Sequence, residues 1–193
     1  MPRLFTAIEL APAVRTAVEA YQARLARDLN PGGRRLRLMP AAQFHVTLVF
    51  VGEVDDAVTA HLSGLMSHPF TASPFHLTFG GAGVFPARGV PKVLWLGAEQ
   101  GHAPLTELFQ SVAARVASAG IDLERRAYRP HLTLGRWREG KGPMKAPRLP
   151  APPAVPEQQV RGVTLFESRL LPHGAEHRPL ARAPLTGIAP PLH

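Results

Sequence analysis

Two short stretches of this chain carry the same pattern: Phe44-His45-Val46-Thr47-Leu48 and, in the second half, Pro130-His131-Leu132-Thr133-Leu134. In an extended strand successive side chains leave on opposite faces, so His45 and Thr47 share one face while Val46 and Leu48 share the other. His131 and Thr133 are placed alike, with Leu132 and Leu134 behind them. A strand of this kind buries its aliphatic face and leaves an imidazole and a hydroxyl on the open side. One such strand is an ordinary amphipathic strand that happens to hold a histidine. Two in matching surroundings point to a repeated unit and to two imidazoles meeting in one cleft.

The rest of the chain supports a repeat. Residues 3–9 are short and β-prone, and residues 12–28 form a helical run with Val14, Val18, Tyr21, Leu25 and Leu29 at helical spacing. Asn30-Pro31-Gly32-Gly33 ends the helix, residues 34–39 alternate again, and the first histidine strand spans 44–51. A helix over 54–66 and a strand over 75–79 follow. Gly80, Gly81 and Gly83 with Phe85-Pro86 then read as a turn between the halves; the stretch lacks the lysine a phosphate-binding loop needs. The second half repeats the plan: a buried strand over 92–97, a helix over 104–119 capped by Gly120, and the histidine strand over 131–136. Residues 140–156, rich in proline, glycine and basic groups, read as an exposed, mobile loop. There Lys141, Lys145 and Arg148 face either solvent or a phosphate backbone. Residues 160–171 read as a strand closing the second sheet, His173-Gly174 as a turn, 180–185 as its short partner, and 188–193 as a frayed end.

Composition narrows the chemistry. At 193 residues, 45% hydrophobic and 19% charged, the chain fits one soluble domain or two closely packed halves. With no cysteine it has no disulfide, no thiolate metal site and no thiol nucleophile. Neither a signal-peptide pattern nor a run of roughly 20 apolar residues is found, so a cytoplasmic protein without membrane contact is expected. The net charge of +8 and pI near 11.1 favour an anionic partner. Only Lys92, Lys141 and Lys145 are lysines, so arginine carries that charge.

Two histidines facing one cleft suit proton transfer near neutral pH, because an unperturbed imidazole titrates at about 6.5. One can take a proton from water while the other gives one to a leaving oxygen, which fits in-line displacement at phosphorus without a metal. Thr47 and Thr133 can donate to the non-bridging oxygens. Arg136, five residues after His131, lies out of step with strand alternation yet can fork onto a phosphate from the strand end; a plain surface charge is the competing reading. Metal binding fits poorly, since the two strands offer two nitrogens and no carboxylate at fixed spacing. His61, His68, His76, His102, His173, His177 and His193 show no pairing pattern and read as surface or packing residues, and no nucleophile elbow supports a serine triad.

FHVTLVFVGEV and YRPHLTLGR resemble the paired His-x-Thr motifs of the two-histidine (2H) phosphoesterase superfamily. RLFTAIELAPAVR, KVLWLG and VTLFESRLLPHG extend the likeness over nearly the whole chain, toward the RNA 2′,3′-cyclic phosphodiesterase branch historically called 2′-5′ RNA ligases. The resemblance implies an α+β, bilobal fold within a single domain over 1–193. Two antiparallel sheets related by pseudo-two-fold symmetry would face a central cleft, with helices outside and one motif per lobe, near 45–48 and 131–134. It implies hydrolysis of 2′,3′-cyclic phosphate ends of RNA, or of a cyclic nucleotide, to 2′-phosphomonoesters by a monomer that needs no cofactor or metal. His45 would be the proton donor and His131 the acceptor, with Thr47, Thr133 and Arg136 holding the phosphate. Val49 stands where many relatives have lysine, and His177 where they have tyrosine, so contacts there differ. A 2′-5′ ligase running the same site backwards and a non-catalytic RNA or nucleotide binder are the alternatives.

Overall fold

The computed structural model describes residues 1–29, 36–123, 127–137, 147–152, 154–171 and 174–187. Strand β1 (Arg3–Glu9) leads into α1 (Pro12–Leu29), the short β2 (Leu36–Leu38), a single 3-10 turn at Ala41–Gln43 and the first histidine strand, β3 (His45–Glu53). Next come α2 (Asp56–Leu65), β4 (Phe75–Phe85), β5 (Val93–Gln100), α3 (His102–Ala117) and the second histidine strand, β6 (His131–Trp137). Strands β7 (Gln158–Val160), β8 (Gly162–Leu171) and β9 (Gly174–Pro184) follow.

The strands form one curled antiparallel sheet in the order β7-β4-β5-β6-β3-β1-β8-β9, with β2 also on β6. Its two halves are joined between β3 and β6 by one residue pair, Val46 with Leu132. The two expected sheets are thus fused edge to edge at the histidine motifs. Outward from this junction the halves follow one plan, β3-β1-β8 on one side and β6-β5-β4 on the other. The units β1-α1-β3 and β5-α3-β6 are the expected strand, helix, histidine strand repeats.

Both helices lie on the aliphatic side of the sheet, because their apolar residues recur at three- and four-residue intervals. Val14, Val18, Tyr21 and Leu25 of α1 and Leu105, Leu108, Val112 and Val116 of α3 are fully buried in one core with Leu4, Ile8, Val46, Leu94, Leu96, Leu132 and Leu134. Each of these side chains gains about 1.5–3 kcal/mol by leaving water. Among the described residues no helix is long and apolar enough to cross a membrane.

Both histidine strands carry a β-bulge at the same place. On β3, Thr47 pairs with Ala7 and Val49 with Thr6, so Leu48 is the extra residue. On β6, Thr133 pairs with Trp95 and Gly135 with Leu94, so Leu134 is extra. An extra residue reverses the alternation beyond it. The first six residues of both strands accordingly show one burial pattern, with two consecutive buried residues after the threonine and an exposed one next. Buried polar groups hold both kinks. The Thr6 hydroxyl accepts from the Val49 amide at 3.1 Å, and Gln22 on α1 donates its amide to the Leu134 and Met39 carbonyls, both at 2.7 Å.

Four expectations change. Gly80, Gly81 and Gly83 lie inside β4, paired with β5. A flat approach explains the composition there: a Cβ on Gly83 would run into the Trp95 indole. Residues 160–171 do not close the second sheet, since β7 pairs with β4 whereas β8, past Arg161, pairs with β1 in the half that carries His45. Here backbone pairing, which local sequence does not encode, decides the partner. The proline-rich segment is anchored in its described part, where the carbonyls of Pro150 and Ala151 accept from Tyr21 and Arg24 and Leu149 and Val155 pack on the core. Lys141 and Lys145 lie outside the described residues, and Arg148 is exposed. The partner of 160–171 is also longer than 180–185, since β9 pairs with β8 from Gly174 to Pro184.

Gly83→Ala is expected to cost about 1–3 kcal/mol by displacing Trp95, lowering Tm by several degrees in a thermal melt. Gly64→Ala, in α2 with open space around it, is expected instead to stabilise by about 0.5–1 kcal/mol and so raise Tm slightly.

Candidate active site

The junction pair fixes the site. With Val46 opposite Leu132 in antiparallel sense, His45 stands next to Thr133 and Thr47 next to His131. All four leave on the face opposite the core. The two histidines are diagonal neighbours, which ordinary sheet spacing sets about 7–8 Å apart at the backbone.

Each imidazole is held in the same manner. Nδ1 of His45 lies 2.7 Å from the Gln43 carbonyl, and Nδ1 of His131 lies 2.7 Å from the Arg129 carbonyl. A carbonyl only accepts, so Nδ1 carries the hydrogen in both rings and Nε2 is left for a ligand. Tyr128 secures the junction by donating to the Thr47 carbonyl at 3.2 Å while its ring stacks on Phe109 at 4.3 Å. Burial pushes its phenol above the ordinary range, which keeps it a donor.

The halves back their histidines with different aromatic walls. Phe5 sits 4.9 Å from the His45 ring and stacks on Phe166 at 5.3 Å, in a small cluster with Ala7 separate from the main core. In the other half Phe85 meets the His131 ring edge-on at 5.1 Å and stacks on Trp95 at 5.1 Å. Burial against the first wall holds His45 far below the usual imidazole range, at about 4, and neighbouring charge on His177, His131 and Arg136 adds to this. His131 is lowered too, first by burial and then by Arg136. The unliganded site therefore keeps both imidazoles neutral at neutral pH.

Arg136 is brought to this face by the Leu134 bulge, which resolves its odd five-residue spacing. It is exposed, and its cross-strand neighbour on β2 is Arg37. Phe50 occupies the same offset from His45 and is 69% exposed, 6.3 Å from Phe5. Sequence reasoning missed Phe50, although the shared offset from the two motif histidines was readable. The pairing pattern read His177 as a surface or packing residue and the resemblance put it at a contact position; from β9 its ring packs edge-on to His45 at 5.3 Å and to Phe5 at 4.9 Å. The β8–β9 hairpin sets Ser168 opposite His177, and the pairing of β8 with the distant β1 puts the ring there. Val49 is 4% exposed and belongs to the main core, so this position faces away from the histidines.

The other described histidines lie apart from the two motif rings. His76 meets Glu157 at 2.9 Å, and His68 and His102 each bond a nearby backbone carbonyl. Among the described residues no group of three or more histidine, cysteine, aspartate or glutamate side chains is arranged to hold a metal ion.

Known proteins resemble this chain in sequence and fold. The family model of the 2′-5′ RNA ligase superfamily matches residues 9–167. An RNA 2′,3′-cyclic phosphodiesterase of Archaeoglobus fulgidus is 30% identical over 180 residues, which is 92% of this chain and 97% of that one. One of Thermus thermophilus is 31% identical over 96% of this chain and 91% of its own length. The crystal structure of E. coli LigT complexed with 3′-AMP superposes with a TM-score of 0.77 at 28% identity, covering 96% of this chain and 99% of LigT. With its paired motifs, its fold and a family match over most of its length, this chain belongs to the 2′-5′ RNA ligase superfamily, the 2H phosphoesterases.

Proposed function

We propose that this protein is an RNA 2′,3′-cyclic phosphodiesterase that opens the cyclic end to a 2′-phosphomonoester. The observation that carries the reading is the pair of imidazoles on one sheet face, each with Nδ1–H fixed to the carbonyl two residues back and Nε2 left for a ligand. The names of the relatives give the same activity.

In the proposed reaction Nε2 of His131 takes a proton from water as its oxygen bonds to phosphorus. The bond from phosphorus to O3′ breaks opposite, and protonated His45 delivers its proton to that oxygen. Thr47, Thr133 and Arg136 hold the non-bridging oxygens, where charge builds up. The exposed ring of Phe50 offers the terminal base a stacking surface. His45 must carry a proton that its buried setting disfavours, and it takes this proton from solvent as the substrate binds: an anion between two imidazoles raises their affinity for protons. The exposure of Arg136 and Phe50 leaves the site open to water, which favours hydrolysis over ligation. We place the enzyme in the cytoplasm as a monomer without cofactor, on its cysteine-free composition and on a site completed within one chain.

Incubation with an oligonucleotide ending in a 2′,3′-cyclic phosphate is expected to yield a 2′-phosphate. A 3′-phosphate product would reverse the roles of the two histidines, and joining to an added 5′-hydroxyl strand as the main outcome would establish the ligase. His45→Ala and His131→Ala are each expected to lower turnover by about 10²–10⁴-fold, with EDTA without effect. Full activity in both variants rejects the mechanism.

Imidazole NMR gives a separate check. His45 of the free protein is expected to titrate near 4 and to move upward when inorganic phosphate is bound. Protonated His45 becomes scarcer as pH rises above that value, so kcat/KM is expected to fall tenfold per pH unit on its alkaline side, with kcat holding to higher pH. A kcat/KM that stays flat to pH 9 is incompatible with His45 as the donor.

A further inference from the structure

Gln22 is 4% exposed, sits on α1 among aliphatic residues, and spends both amide hydrogens on backbone carbonyls of other elements. One is Leu134, the bulged residue two places before Arg136; the other is Met39, whose own amide donates to that same Leu134 carbonyl at 2.9 Å. The opposite half has a matching lock. Thr6, fully buried on β1, uses its hydroxyl on the backbone of Val49, just past the bulged Leu48 and next to Phe50. In both halves a buried polar side chain thus grips the kink that turns the fifth residue after the histidine toward the site.

We propose that Gln22 is a positioning residue: by gripping the Leu134 carbonyl it holds the kink in β6 that aims Arg136 at the ligand between His45 and His131. A bulge is a local irregularity whose extra residue loses its ladder partner. Here the Leu134 carbonyl already accepts from the Met39 amide, and Gln22 adds a second donor from α1 that fixes the carbonyl's direction and so how the strand bends. Without Gln22 the Met39 carbonyl loses its partner, Leu134 keeps a single bond, and the strand beyond is free to shift. A guanidinium displaced by about 1 Å at a site of this kind costs up to about a hundredfold in rate. The competing view is that Gln22 merely ties α1 to the sheet, in which case its loss costs stability but is indifferent to Arg136.

The turnover assay rests on the phosphodiesterase reading, so a binding assay accompanies it. Gln22→Met keeps the shape and removes both donors. With 2′,3′-cyclic AMP as probe, it is expected to lower kcat/KM about tenfold, and Gln22→Met with Arg136→Gln is expected to be no worse than Arg136→Gln alone. Thr6→Val serves as the contrast, its loss multiplying with that of Arg136→Gln. If the losses of Gln22→Met and Arg136→Gln multiply, Gln22 does not act through Arg136 and the proposal fails. Should Gln22→Met prove too unstable, Gln22→Glu decides. Burial beside carbonyls raises its carboxyl, the protonated acid still donates one bond, and its deficit is expected to grow with rising pH only while Arg136 is present. A deficit independent of pH and of Arg136 overturns the assignment. Inorganic phosphate binding, read by the His131 resonances, is measured for the same variants. If the native protein turns over neither 2′,3′-cyclic AMP nor the cyclic-ended oligonucleotide, the phosphodiesterase reading falls, while the same non-additivity in phosphate affinity still supports the positioning role and additivity refutes it.

Discussion

One backbone contact, Val46 against Leu132, carries the arrangement of the site. A strand pair has fixed spacing and alternation, so a single antiparallel contact is enough to set both histidines and both threonines as neighbours on one face. It also fuses the halves into one sheet whose other face is sealed by α1 and α3. The chemistry is built on strands and not on loops. The remaining freedom of each ring is taken up by a bond to the backbone two residues back.

The two halves share a plan but treat their histidines differently. Phe5, Phe166 and His177 crowd the His45 ring, while Phe85 meets the His131 ring edge-on. The more desolvated imidazole resists its proton more strongly, so near-identical motifs acquire different proton affinities from their surroundings. This order is opposite to the proposed roles, so His45 depends on the bound phosphate's negative charge to hold its proton. The same divergence appears at the fifth residue after each histidine, where one half offers a cation, Arg136, and the other a flat apolar ring, Phe50. In the proposed reaction these two positions would meet the anionic and the planar part of a nucleotide.

Much of this was legible from local pattern. Alternation and helical spacing specify elements whose burial depends on their own residues, so β1, α1, β3, β5, α3 and β6 lie where the sequence places them within a few residues. Exceptions occur where contacts distant in sequence decide. The glycines of β4 read as a turn because a glycine's reason for being is its neighbour, here the Trp95 indole over Gly83. The split at Arg161 is invisible locally, because the residues on both sides of it suit a strand and only the edge each side finds separates the short β7 from the long β8.

By itself the sequence determined that two His-x-Thr strands exist, which residues share each face, and what chemistry such groups can perform. Alternation along a strand is a property of the chain alone, so no tertiary knowledge is needed for it. Tertiary structure decided what stands across from each motif: the threonine of the other half, the imidazole of His177, and the bulges that return Arg136 and Phe50 to the site. Bulges and strand partners arise from hydrogen bonds between segments far apart in the chain, such as Gln22 with Leu134 and Thr6 with Val49, and no local window of sequence contains both ends of such a bond.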